Sequence, residues 1–135
     1  MITLETYFGA MSHLAEPTEE QRHAAETLLE RVGGLLAEPA LAGIDAAVNP
    51  RQNSGWRTPE YNAGVKGASK TSKHMSAEAI DLDDDYGELD EFFFSDEGRK
   101  LLTIHGLWME HPAATKGWCH LQSVPPRSGN RVFFP

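Results

Sequence analysis

The sequence predicts one small α+β domain that spans residues 1–135. Three observations predict this class: a length of 135 residues, a long apolar stripe at helical spacing, and shorter segments in which apolar and polar residues alternate. A chain of this length can bury one hydrophobic core and has no room for a second domain. Repeats, low-complexity tracts and linkers are absent from the sequence, so we treat it as one unit.

The helices are predicted from capping residues and from apolar spacing. The first begins at Thr18, where Gln21 completes a capping box. The apolar stripe of this helix consists of Ala24, Ala25, Leu28, Leu29, Val32, Leu35 and Leu36. A short helix is predicted to begin with Pro59 in its first turn, and a third helix is predicted over 95–105, where Gly106 ends it.

The segments between the helices are predicted to be strands and loops. In the strand over 78–82, Ile80 and Leu82 enter the core, whereas Asp81 faces a cleft on the other side. Further strands are predicted over 47–49, 107–109 and 118–122, and the apolar tail 132–134 is expected to dock on the domain. The connections are predicted to be a turn over 51–54, a surface loop over 64–72, a solvated turn over 83–85 and a loop over 112–116.

The composition excludes several classes of partner. The formal net charge of −8 argues against a nucleic-acid partner, since phosphates favour clustered Lys and Arg. No apolar run approaches the roughly 20 residues that span a bilayer, so membrane insertion is not expected. The N-terminus lacks the pattern of a secretory signal, which predicts a protein made in the cytoplasm. The single cysteine, Cys119, excludes an internal disulfide framework and a cysteine-based zinc finger.

Three residues form the strongest candidate metal site. His74 and Asp81 are seven residues apart, and His120 follows in the segment Gly-Trp-Cys-His. Two imidazoles and a carboxylate are the mixed ligands that a catalytic zinc accepts when its fourth position stays open for water. Taken singly, each histidine could be a packed residue and the aspartate a solvated charge. Together they predict a zinc site.

A hydrolytic zinc site also needs a base and groups that hold the substrate. Glu110 is the favoured base, because it lies at the end of a predicted strand and a loop can bring it beside His120. His111 is the competing base. The guanidinium of Arg57 matches a terminal carboxylate and would suit a peptide substrate, while an internal salt bridge is the alternative.

Three separated segments resemble, in the same order, the M15 peptidases, the family of zinc D-Ala-D-Ala carboxypeptidases and phage endolysins. The segments are Ser54-Gly-Trp-Arg-Thr-Pro-Glu-Tyr-Asn62, Ser72-x-His74-x-x-Ala77-x-Ala79-x-Asp81 and Trp118-Cys-His120-Leu. The closest resemblance is to short phage and prophage members that end in a segment like Gly-Trp-Cys-His-Leu-Gln…Pro-Pro…Gly-Asn-Arg-Val-Phe-Phe-Pro. The resemblance covers most of the chain, from the first helix to Pro135.

The resemblance implies an antiparallel sheet with helices packed on one side and a zinc site in a cleft, as in the hedgehog and DD-peptidase fold. It implies zinc on His74, Asp81 and His120, with Arg57 and Ser72 near the substrate. Trp118 is expected to form part of the cleft wall.

Two positions depart from the family pattern. Ala77 replaces a glycine, which is a mild change where the backbone φ is negative. Many members carry their catalytic acid three residues before the last histidine, and this chain has Gly117 there. That leaves Glu110, which resembles the upstream glutamate of hedgehog signalling domains.

The implied activity is hydrolysis of peptide bonds in peptidoglycan stem peptides, by a DD-carboxypeptidase or an endolysin-type endopeptidase. Such an enzyme would act on the bacterial cell wall after release from the cytoplasm. One alternative is a non-catalytic zinc-binding structural or wall-binding component of a phage particle. A second is a metal-free acidic adaptor in which His74 and His120 are merely packed.

Overall fold

The computed structural model describes residues 2–44, 46 and 54–135. The α-helices are α1 Leu4–Phe8, α2 Glu19–Leu36, α3 Pro59–Ala63, α4 Glu88–Phe94 and α5 Asp96–Ile104. Short 3₁₀ helices cover Gly9–His13, Pro39–Leu41 and Pro112–Ala114. The strands are β1 Ala79–Asp84, β2 Trp108–Glu110, β3 Gly117–Gln122 and β4 Val132–Phe133. The predicted strand over 47–49, and all of the predicted turn over 51–54 except Ser54, lie outside the described residues.

The four strands form one mixed sheet in the order β1-β3-β2-β4. Strand β3 is antiparallel to both β1 and β2, whereas β2 and β4 are parallel. The expected antiparallel sheet is therefore wrong at this last pair. The chain reverses direction after β3 and then lies on the far side of β2, so β4 runs in the same direction as β2. The α+β class itself is confirmed.

One face of the sheet packs into the core, as the alternation in 78–82 predicts. Ile80 pairs with Leu121 and Leu82 pairs with Cys119, and all four side chains are buried. The predicted stripe of α2 belongs to the same core, with Ala25, Leu28, Val32 and Leu35 buried and Ala24, Leu29 and Leu36 packed against it. The other face of the sheet carries polar side chains.

The predicted helix starts are confirmed by their caps. The Thr18 side chain accepts a hydrogen bond from the Gln21 backbone, and the Gln21 side chain accepts one from the Thr18 backbone. The Thr58 and Ser95 side chains cap α3 and α5 by accepting hydrogen bonds from the backbones of Tyr61 and Gly98. In the described part of the chain, no helix is long and apolar enough to cross a membrane.

The prediction of a solvated turn over 83–85 is confirmed at Asp85, which is exposed in a turn, and is wrong at the two residues before it. Asp83 and Asp84 belong to β1, and Asp84 is buried. The Asp84 carboxylate accepts backbone hydrogen bonds from Leu89 and Asp90 at 2.9 Å each, so it satisfies two free N–H groups at the start of α4. Helices α1 and α4 were not predicted, since neither presents a long apolar stripe.

Candidate metal centre

The register of the sheet brings Asp81 and His120 together. The two residues are direct partners across β1 and β3, on the face that lies away from the core. Their side chains meet with 2.9 Å between His120 Nδ1 and Asp81 Oδ1. A shift of one residue in this pairing would turn one of the two side chains into the core, so the apolar alternation on both strands fixes the site.

His74 reaches the same point from the turns that precede β1. Its Nε2 lies 3.4 Å from Asp81 Oδ2, and its Nδ1 lies 2.8 Å from the backbone oxygen of Gly55. Donation from Nδ1–H to that carbonyl leaves Nε2 as the free nitrogen that faces Asp81. The imidazole is thereby oriented toward the two sheet residues.

The segment 54–57 holds His74 against the edge of β1. The Asp81 backbone donates to Ser54 O at 2.8 Å, and the Arg57 backbone donates to His74 O at 3.1 Å. Gly55 passes so close to the N-terminal helix that an added Cβ would lie 2.1 Å from the backbone oxygen of Tyr7. Only glycine fits at this approach.

The three side chains form a buried group that could hold a metal ion. One ligand atom from each of His74, Asp81 and His120 lies within 4.8 Å of the others, and each residue is at most 7% exposed. The donor set of two imidazoles and one carboxylate fits zinc with a coordination position left open. The group borders an open cleft of about 1030 Å³, a size that accepts a short peptide.

Gln122 orients the second imidazole. Its Oε1 lies 3.1 Å from His120 Nε2, while its Nε2 donates to Val124 O at 2.8 Å. With Nε2–H of His120 donating to this oxygen, Nδ1 is the nitrogen left to bind a cation. Both histidines thus have the outer hydrogen-bond partner that is typical of metal ligands. Neither Gly55 nor Gln122 was predicted to have this role.

Hydrogen bonds and charges within the cluster together outweigh the effect of burial on its protonation. Burial raises the pKa of Asp81, but the charges and hydrogen bonds of His74 and His120 outweigh it, so the pKa is lowered. Burial lowers the pKa of His120, but Asp81, Glu110 and Gln122 together raise it to about 9. The Asp81 carboxylate and the His120 imidazole therefore favour their charged forms beside one another.

Arg57 lies at the edge of the cluster. Its Nη2 is 3.6 Å from Asp81 Oδ2, and its Nη1 donates to Asn62 Oδ1 at 3.1 Å. Burial lowers the pKa of Arg57, while the charge of Asp81 opposes that shift. The internal salt bridge considered for this residue is confirmed, and its partner, Asp81, belongs to the group that could hold a metal ion. Arg57 also lines the cleft.

The structure separates the two candidate bases. Glu110 ends β2, lines the cleft, and raises the pKa of both His120 and Arg57 through its charge. His111 is not among the described residues that line the cleft. Its ring stacks on Phe134 with 4.3 Å between centroids and meets Phe94 edge-on at 5.0 Å. The geometry brings Glu110 to the site and leaves His111 in an aromatic cluster.

The other two residues predicted to contact the substrate, Ser72 and Trp118, line the cleft. The backbone of Ala77 has a φ of +61°, so the negative φ under which an alanine would be a mild change is not present, and the alanine is strained. The φ of Gly117 is +95°, a conformation that disfavours an acidic side chain at this position. An acid supplied from elsewhere, such as Glu110, is consistent with that backbone.

Comparison of the chain with family models, with curated proteins and with solved structures finds no significant match. The molecule is thus defined by its own geometry: a small α+β domain with a buried His-Asp-His group beside an open cleft.

Proposed function

We propose that this protein is a zinc-dependent peptidase that hydrolyses peptide bonds in peptidoglycan stem peptides, as a DD-carboxypeptidase or an endolysin-type endopeptidase. The observation that carries the proposal is the group of His74, Asp81 and His120 at the wall of an open cleft. Support also comes from the resemblance of three ordered segments to the M15 peptidases. The site of action would be the bacterial cell wall, after release of the protein from the cytoplasm.

A bound zinc would supply a Lewis acid for the scissile carbonyl and a water whose pKa is lowered toward about 7. Glu110 would accept the proton of that water and deliver it to the leaving amine. Its place at the end of β2, on the sheet face that carries the neighbouring His120, supports this role. His111 is a weaker candidate because its ring packs between two phenylalanines.

The rest of the cleft would orient the peptide. Arg57 would pair with a substrate carboxylate through its guanidinium, which Asn62 holds in place. Ser72 offers a hydroxyl that can hydrogen-bond the peptide backbone, and Trp118 offers an apolar wall. These residues supply binding and positioning, whereas the proton transfer belongs to Glu110.

The test is the release of new amino groups from purified cell wall by zinc-loaded protein. Glu110→Gln should lower the rate at least about 100-fold, the typical contribution of a general base, while zinc remains bound. His111→Gln is the matched control and should keep most of the activity. A Glu110→Gln variant as active as the wild type would eliminate Glu110 as the base. Zinc-loaded wild type that releases no amino groups would favour the non-catalytic component instead.

A further inference from the structure

The cleft carries a charge opposite to that of the whole chain. The chain has 12 Lys and Arg against 20 Asp and Glu. Among the described residues that line the cleft, four are cationic and two are anionic. The cations are Arg57, Lys66, Lys73 and Arg127, and the anions are Asp81 and Glu110. Among the described residues, the cleft therefore holds four of 11 Lys and Arg but only two of 19 Asp and Glu.

Three of these cations have no acidic partner among the residues that the structure describes. Within the described part of the chain, no salt bridge involves Lys66, Lys73 or Arg127. Described arginines elsewhere have structural contacts: Arg31 donates to two backbone oxygens, and Arg131 donates to one and lies over a tryptophan ring. Lys66, Lys73 and Arg127 are thus available to a ligand.

These cations come from two separate loops that border the metal group. Lys66 and Lys73 belong to the segment between α3 and β1, in which Lys73 directly precedes the ligand His74. Arg127 belongs to the loop that joins β3 to β4. A ligand that extends along the cleft from the metal can therefore meet positive charge from more than one loop. The acidic surface elsewhere is screened beyond about 8 Å at physiological salt, so the local cations decide what enters.

We propose that the cleft selects acidic peptides, which carry at least one carboxylate besides the group that Arg57 would hold. Lys73 and Arg127 bind the extra carboxylate, and Lys66 adds to the local potential. This inference rests on the proposed peptidase function for its choice of a peptide ligand. It adds a charge preference that the metal group alone does not provide.

The test uses two synthetic stem peptides of sequence L-Ala-γ-D-Glu-L-Lys-D-Ala-D-Ala. One has a free α-carboxylate on its glutamate, and in the other that carboxylate is an amide. Calorimetry on the zinc-loaded full chain gives the Kd of each peptide, and chromatography of the same samples reports cleavage. The free acid should bind at least about threefold more tightly at about 50 mM salt, and less of this preference should remain at about 500 mM.

A pair of double variants separates the cleft from the overall charge. Lys73→Gln with Arg127→Gln should abolish the preference for the free acid. Lys100→Gln with Lys116→Gln changes the net charge equally at exposed residues that do not line the cleft, and should retain it.

Equal Kd values for the two peptides, or the absence of binding by both, would overturn the inference. So would equal loss of preference in the two double variants. Cleavage of both peptides with equal Kd values would leave the peptidase function standing without the charge preference. Preferential binding of the acid without any cleavage would support the preference and count against the peptidase.

Discussion

The close approach of Gly55 to Tyr7 makes Gly55→Ala an informative perturbation. The added Cβ would lie 2.1 Å from Tyr7 O, whereas real Cβ contacts stay at or above 3.0 Å. The difference is 0.9 Å, and because the obstacle is backbone, the segment 54–57 must move by about that amount. Overpacking of this kind costs about 1–3 kcal/mol in the free energy of unfolding.

The same displacement acts on the metal group. Gly55 O accepts from His74 Nδ1 at 2.8 Å, and a shift of about 0.9 Å along that line would lengthen the contact beyond 3.5 Å, where it is no longer a hydrogen bond. Loss of an outer partner of a ligating histidine weakens metal binding by about 10- to 100-fold. We therefore expect Gly55→Ala to lower both the stability and the zinc affinity.

Urea unfolding of the metal-free protein measures the first effect, and competition with a chelator measures the second. Gly64→Ala is the matched control, because a Cβ there would meet Tyr61 O at an ordinary 3.5 Å. A Gly55→Ala variant with the stability and zinc affinity of Gly64→Ala would refute both the steric argument and the role of the Gly55 carbonyl.

Two further predictions concern buried polar groups. Gln122→Leu removes the acceptor of His120 Nε2 and should weaken zinc binding about tenfold in a chelator competition. Gln122→Glu keeps an acceptor there and is the control. Equal zinc affinities of the two variants would show that Gln122 does not support His120 as a zinc ligand. Burial raises the pKa of Asp90 from 3.8 to about 6, so the folded protein holds the proton of this carboxyl more tightly than the unfolded chain does. The stability that this proton contributes is complete below about pH 4 and is lost as the pH rises through about 6. The unfolding free energy of Asp90→Asn relative to wild type should therefore increase between pH 4 and pH 7, by at most about 3 kcal/mol. A difference that stays constant over that range would show that Asp90 ionises normally.

Much of the candidate site could be predicted because its residues lie in short segments with a clear alternation of apolar and polar residues. Alternation in 78–82 places Asp81 opposite Ile80 and Leu82, and the similar alternation around His120 puts that histidine on the same face. The pairing of the two residues needed only the correct register, which the apolar face fixes. Helix α2 could be predicted equally well, because a capping box and a stripe of apolar residues define it.

What could not be predicted depends on contacts between distant segments. The role of Gly55 arises from its proximity to Tyr7, which is 48 positions earlier in the chain. Helix α4 begins where the carboxylate of Asp84 satisfies backbone N–H groups, so an acidic run that reads as solvated is partly buried. The choice between Glu110 and His111 likewise depended on which of two adjacent side chains turns toward the cleft.

We expect one cation to be held jointly by His74, Asp81 and His120. The most direct test is elemental analysis of protein purified without added metal, then exposed to zinc and dialysed. We expect about one zinc per chain in the wild type, loss of most of it in His120→Ala, and full retention in the control His23→Ala, whose histidine is exposed on α2. Zinc content near zero in the wild type, or undiminished content in His120→Ala, would show that these three residues do not hold a zinc ion.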